Sequence, residues 1–161
     1  MAASTHKFAK RLQKELADLR KSQEFRVSPE NDDLREWLFV IQGAPDTPYE
    51  GGRYMGRIKF PEKWPVKPPV LCLITPSGRF EPNVPLCING ISHYHPENYS
   101  STMKIESILA SLVSYMADDG VKDGTGMGIV EASADERRKF AANTHSWNAA
   151  NITYKKAFSS E

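Results

Sequence analysis

Apolar residues recur along the start of the chain at the spacing of a helix. Phe8, Leu12, Leu16 and Leu19 are four, four and three residues apart, which makes one apolar stripe and predicts a helix over 5–21, capped by Ser4 or Thr5. The period then changes to that of strands. A short strand is expected at 25–27. In the next, 37–41, Trp37, Phe39 and Ile41 interleave with Leu38 and Val40, so both faces should be buried. Asp46 to Gly52 has the composition of a hairpin turn. Residues 53–60 alternate again, with Tyr54, Ile58 and Phe60 on one side, and should pair antiparallel with the strand before. A last strand is expected at 70–74. The pattern up to here is a helix followed by a meander of about four strands.

Residues 75–101 show neither period. Irregular stretches of that length are uncommon in compact domains and usually carry function. A helix follows at 103–117, with Ile105, Ile108, Leu109, Leu112, Val113 and Met116 as a wide apolar face and Thr102 as its expected cap. Residues 118–128 form a glycine-rich connector. Ser133-Ala134-Asp135-Glu136 is a capping box that opens a last helical region through Phe158, interrupted near 148–151.

Composition narrows the class. The 161 residues suit one domain, 1–161, with one sizeable core, and the element order makes it α+β. All eleven prolines lie between Pro29 and Pro96, so the ends are helical and the middle is strands and shaped loops. A formal net charge of +1 gives no global field toward nucleic acid or membrane. Lys7, Lys10, Arg11 and Lys14 do form a basic face on the first helix, either a solvated surface or a docking face for an acidic partner. No apolar run approaches the roughly 20 residues that span a bilayer, and the N-terminus does not read as a signal peptide. Two cysteines are too few for a disulfide framework and suit a reducing, cytoplasmic setting; oligomeric state stays open, with monomer the default.

The cysteines differ in setting. Cys72 lies in the apolar run Val70-Leu71-Cys72-Leu73-Ile74 and reads as structural. Cys87 lies in the irregular stretch, after Phe60-Pro61-Glu62-Lys63-Trp64-Pro65-Val66-Lys67-Pro68-Pro69 and before an apolar helix, where a thiol can be offered to a large partner. A free thiol has a pKa of about 8.5, so a minor fraction is thiolate at neutral pH, enough for exchange between thioesters without an adjacent base. His93 and His95 follow Cys87 by six and eight residues. A hydrolytic Cys–His dyad and a metal site of Cys72, Cys87, His93 and His95 are competing readings, but the spacing matches no common zinc pattern, and His95-Pro96 reads first as loop architecture. Gly124-Thr125-Gly126-Met127-Gly128 follows a helix and lacks a lysine–hydroxyl pair, so it is no phosphate loop.

These motifs together resemble those of a ubiquitin-conjugating enzyme over nearly the whole chain. Residues 8–16 resemble the family's first helix, Tyr49-Glu50-Gly51-Gly52 its turn between second and third strands, residues 60–69 its proline loop, and Leu86-Cys87 its acceptor site. Thr75-Pro76-Ser77-Gly78-Arg79-Phe80, His95-Pro96-Glu97 and Asp135-Glu136-Arg137-Arg138 are similar to the class J, endoplasmic-reticulum-associated branch. The resemblance implies the ubiquitin-conjugating fold and an acyltransferase in an ATP-dependent pathway, with no metal and no cofactor of its own. Cys87 would take ubiquitin as a thioester from the activating enzyme and pass it to lysine, or in this branch hydroxyl, groups of protein substrates with a ligase. A role in protein quality control and degradation follows, and so does the cytosolic face of the endoplasmic reticulum if a tail anchor lies outside these residues.

Carried over by position, the contacts to activating enzyme and ligase are Lys10, Arg11, Val66, Ser100, Ser101 and Thr102. Asp123 matches the acidic gate that guides an incoming amine, and His95 belongs to the branch motif. Two departures stand out. The family's His-Pro-Asn before the cysteine is missing, and Ser77 stands where the branch has its asparagine. Removing one oxyanion donor lowers rates about a hundredfold to a thousandfold, so Ser77, Asn83 (four residues before Cys87) or a backbone amide is the expected substitute. The spacing from Cys87 to His95-Pro96 is also one residue longer than the branch pattern, with Asn89-Gly90 as a turn that absorbs it. The alternatives are a non-catalytic ubiquitin-binding variant and a conjugating enzyme for another ubiquitin-like modifier.

Overall fold

The structure is a computed structural model that describes residues 2–86, 99–118 and 128–158. Eight elements follow in order: α1 (Ala2–Arg20), β1 (Arg26–Glu30), β2 (Asp33–Gln42), β3 (Arg53–Lys59), β4 (Val70–Leu73), α2 (Ile105–Ala117), α3 (Ala134–Ala150) and α4 (Ile152–Phe158). The strands form one antiparallel meander in the order β1-β2-β3-β4. This is the α+β architecture that the hydrophobic pattern predicts.

Register explains why the sheet is apolar on both faces. Phe39 pairs with Gly56 and Ile41 with Tyr54 across β2 and β3, and Ile58 pairs with Leu71 across β3 and β4. One face, carrying Trp37, Phe39, Ile41, Tyr54, Ile58, Leu71 and Leu73, packs against Leu12 and Leu16 of α1 and Ile105, Ile108, Leu109 and Leu112 of α2. The opposite face, carrying Leu38, Val40 and Met55, packs against Phe158, Trp147 and Tyr154 of the C-terminal helices. The continuous apolar run of β2 is therefore a two-sided strand, as alternation within it implied.

Several local expectations shift. The first helix begins at Ala2, so Ser4 and Thr5 lie inside it and neither caps it. β1 runs beyond 25–27 through Pro29, which is tolerated because β1 is an edge strand and its register with β2 shifts between Pro29 and Glu30. It turns into β2 through Asn31 and Asp32, at φ 54° and 60°, a two-residue hairpin turn that the sequence reading did not single out. The expected cap of α2 is also displaced. The helix starts at Ile105 with Lys104 at its cap position and no cap bond from Lys104 itself. Glu15 Oε1 on α1 accepts the Ile105 N–H at 2.7 Å instead. Ser133 does cap α3, its hydroxyl accepting from Glu136 N–H, and the helical region breaks at Asn151, whose Oδ1 accepts from Tyr154 N–H.

The motif 75–80 knits these layers together. Thr75 Oγ1 accepts from Met55 N–H and donates to Asn148 Oδ1, and Asn148 Nδ2 donates to Arg53 O. Gly78, at φ 72°, turns where a Cβ would stand 2.9 Å from the Phe140 ring, and its carbonyl accepts from Arg137 Nε. Buried Arg79 reaches the other way. Its guanidinium donates to the carbonyls of Met116, Tyr115 and Asp118 at the end of α2 and lies 5.1 Å and 5.3 Å from the centroids of the stacked Phe80 and Tyr115 rings. A cation on the last carbonyls of a helix satisfies orphan acceptors and opposes the negative end of the dipole.

Candidate functional site

Cys87, His93, His95 and Asp123 lie outside the described residues. What the structure does describe is the frame from which the chain leaves toward Cys87 and to which it returns. Leu86 is buried, and its N–H donates to Leu71 O of β4 at 2.8 Å. Just upstream, Asn83 is exposed in a left-handed conformation at φ 64°, with its N–H on Leu73 O. Ser77 is fully buried, and its hydroxyl oxygen accepts from the N–H groups of Arg79 and Phe80. The hydroxyl thus shapes the turn of the 75–80 motif. That local role needs no oxyanion chemistry, and a short polar side chain at this position follows from it.

On the return side, Tyr99 leads into Ser100, Ser101 and Thr102, all three exposed, with the Ser100 and Thr102 hydroxyls 2.7 Å apart. The proline loop sits nearby through Trp64, which is fully buried between Phe8 and Phe60 in edge-on contacts. Val66 in the same loop is 74% exposed, an unusual state for a large apolar side chain in an ordered loop. Lys10 projects from α1 as an exposed cation. Exposed Lys63, Lys67 and Lys104 add to the positive charge of these segments.

Arg11 behaves differently from Lys10. Nε bonds Glu15 Oε2 at 2.9 Å, Nη1 donates to Ser101 O at 2.6 Å and Nη2 donates to Met103 O at 3.0 Å. The guanidinium also lies over the Trp64 ring, 4.7 Å from its centroid. It is a four-way internal contact, and it brings together α1, the proline loop and the segment before α2. Glu15 and Tyr99 belong to the same cluster and escaped the sequence reading. The spacing of Arg11 and Glu15 at i,i+4 signalled the pair, but nothing local signals Tyr99. Burial pushes the Tyr99 hydroxyl up, Arg11 draws it down and Glu15 raises it.

Cys72 is half-buried on β4 opposite Arg57. Burial pushes its thiol above the usual range, with Arg57 opposing the shift. Arg57 in turn is bound by Glu30, which raises it further. Cys72 therefore has the environment of a structural cysteine. Among the described residues no group of three or more histidine, cysteine and acidic side chains is placed to hold a metal, and no helix is long and apolar enough to cross a membrane.

An N-terminal helix, a four-stranded antiparallel meander and a proline loop beside α1 have the architecture of a conjugating enzyme. Comparison with known proteins agrees. The sequence pattern of the family described as "Ubiquitin-conjugating enzyme" matches residues 11–148, and the chain belongs to that family. It is 42% identical over 141 residues to ubiquitin-conjugating enzyme E2 6 of Schizosaccharomyces pombe, covering 86% of this chain and 60% of that one. The ubiquitin-conjugating enzyme E2 J2-like protein of Dictyostelium discoideum is 38% identical over 150 residues, covering 92% and 85%. The chain thus spans about 60% of the length of the fission-yeast relative. Among solved structures, human ubiquitin-conjugating enzyme E2 G1 superposes with a TM-score of 0.58 at 33% identity, over 68% of this chain and 94% of that one.

Proposed function

We propose that this chain is a ubiquitin-conjugating transferase of the class J branch, with Cys87 as acceptor. The family match across 11–148, a span that includes Leu86-Cys87, carries this reading. The Dictyostelium relative's J2-like name and the 75–80 motif support the branch. In the first step the Cys87 thiolate attacks the thioester carbonyl on the charged activating enzyme, and that enzyme's cysteine leaves as thiolate. In the second step a substrate amine or hydroxyl attacks the new carbonyl, loses its proton, and returns Cys87 as thiolate. The first step exchanges one thioester for another of similar energy and the second runs downhill when the acceptor is an amine, so the protein contributes chiefly position and exclusion of water.

The ligase and the activating enzyme dock, in this proposal, on Lys10, Val66 and the Ser100–Thr102 segment. An Asn83 carboxamide or backbone N–H groups supply the oxyanion donors, with His95 and Asp123 shaping the approach of the acceptor. Quality-control substrates at the cytosolic face of the endoplasmic reticulum fit the branch.

The test is thioester formation. The chain is incubated with activating enzyme, ATP and ubiquitin and run on a non-reducing gel. An adduct removed by reductant, lost in Cys87→Ala and kept in Cys72→Ala, is the expected outcome. Absence of any adduct with ubiquitin refutes the reading. An adduct with another modifier alone would assign the chain to that modifier.

A further inference from the structure

We propose that α4 is an exchangeable arm. It swings out about Asn151, residues 134–158 become one helix, and the arm closes the outer sheet face of a second copy of this chain in a reciprocal dimer. Exchange of α4 is independent of conjugation chemistry, and its test needs no ubiquitin.

The break between α3 and α4 is a single residue. Asn151 is extended, at φ −84° and ψ 127°, with its N–H on Asn148 O and its side chain capping α4 through Tyr154 N–H. That cap is the one local signal for a break. Ala134 to Phe158 contains no glycine or proline, and the two residues before Asn151 are alanines, the strongest helix formers. The side-chain pattern also runs through the break in register. Trp147, Asn151, Tyr154 and Phe158 are four, three and four residues apart, so in one straight helix they share a face. What bends the chain is the packing of Tyr154 and Phe158 on the face of Leu38, Val40 and Met55. Side chains beyond the hinge make that contact, so the arm of a second copy satisfies it equally well.

The two sides of the hinge are held separately. α3 is fixed up to the hinge by buried groups that do not involve α4. Thr144 Oγ1 accepts from Arg53 N–H at 3.0 Å, and Asn148 bonds Thr75 and Arg53. α4 is held by the burial of Phe158 and by Arg26, which donates to Phe158 O at 3.0 Å and to Tyr154 OH at 3.4 Å. An exposed bond from Lys156 to Asn31 adds to these. The seat of the arm is loose. Clefts of about 430 Å³ and 670 Å³ open beside it, the larger between α4 and the β1–β2 hairpin, and Ile152 in its first turn stays 81% exposed. Leaving breaks few contacts, and each of them is remade on the second copy. Within one chain the arm rebinds at an effective concentration in the millimolar range, so the monomer prevails in dilute solution.

The full chain is warmed at about 1 mM to let arms exchange, and its mass is followed by sedimentation equilibrium, with hydrogen exchange on the separated monomer and dimer. Wild type is expected to form a dimer that is absent at about 10 µM. Asn151→Ala removes the cap of α4 and favours the continuous helix, and should strengthen dimerisation about tenfold. Glycine substitutes for asparagine at a cap with little loss but disfavours the helix, so Asn151→Gly should dimerise no more than wild type. Exchange at Ile152 and Thr153 identifies the arm. These amides lie in the first turn of α4 and have no partner four residues back; in the continuous helix they bond Asn148 O and Ala149 O. They should exchange at least about tenfold more slowly in the dimer than in the monomer. The wild-type dimer and its exchange pattern carry the test if Asn151→Ala folds poorly. Monomers throughout overturn the proposal. A dimer with unchanged exchange at Ile152 and Thr153 overturns it too, as does equal dimerisation of the alanine and glycine variants.

Discussion

At Gly56 the backbone of β3 passes directly under the Phe39 ring. A Cβ there would stand 2.3 Å from Phe39 Cζ and 2.4 Å from Cys72 O, both rigidly held inside the sheet. Gly56→Ala should therefore cost about 1–3 kcal/mol, seen as a lower midpoint in urea unfolding. Cys72 beside it makes a second residue-scale prediction. Burial favours its neutral thiol, so at pH 8 it carries less thiolate folded than unfolded. Alkylation at Cys72, followed by mass spectrometry of the digested protein, should be slower in buffer than in denaturant. The apolar run around Cys72 announced this role in the sequence. Nothing local announced Gly56, because the need for a missing side chain arises from the ring on the neighbouring strand.

Helix ends show most clearly what one element owes another. The apolar faces of α1 and α2 were legible from spacing, and Ser133 was legible as a cap because its partner is three residues away. The start of α2 was not. Thr102 has the right chemistry, but the bond comes from Glu15, ninety positions away along the chain. The far end of α2 is closed by Arg79, 36 to 39 positions away along the chain. Replacing Arg79 by Met keeps much of the bulk but takes from the buried Met116 carbonyl the guanidinium donor that meets it. We expect a loss of about 3 kcal/mol, measured by thermal or urea unfolding, with hydrogen exchange quickened first in the last turn of α2. Ser77 belongs to the same lesson. Read alone it is a stand-in for a missing asparagine; in the fold it is the hydroxyl that turns the chain so that Arg79 can reach α2.

Across the whole molecule the sheet is sealed on both sides, and the second seal is thin. Phe158 closes it on the β1 side, where Arg26 donates to its carbonyl and lies over its ring. Phe158→Ala should destabilise the protein by about 3–5 kcal/mol and expose the Leu38–Met55 face, detectable as increased binding of a hydrophobic dye. Alkali should act globally too. Burial, with Tyr49 adding, raises the Tyr54 hydroxyl, and burial likewise raises Tyr99 and Cys72. A raised folded pKa means that the native state keeps protons which the unfolded chain releases. The tyrosine share of this contribution is whole below about pH 9 and the Cys72 share below about pH 7.5, and each is lost as pH rises toward its folded value. The unfolding midpoint should fall steadily above pH 9, and less so in Tyr54→Phe.

By itself the sequence determined the order and type of the elements, the two-sided character of β2, and the family to which the chain belongs. Each of these depends on patterns that repeat within one element or on motifs a few residues long. Only the tertiary structure decided that Arg11 is held inside while Lys10 stays exposed, that Glu15 and Arg79 close the two ends of α2, and that Ser77 shapes a turn. Those outcomes depend on which polar groups find partners across long loops, and a buried donor or acceptor takes the partner that the packed fold brings within reach.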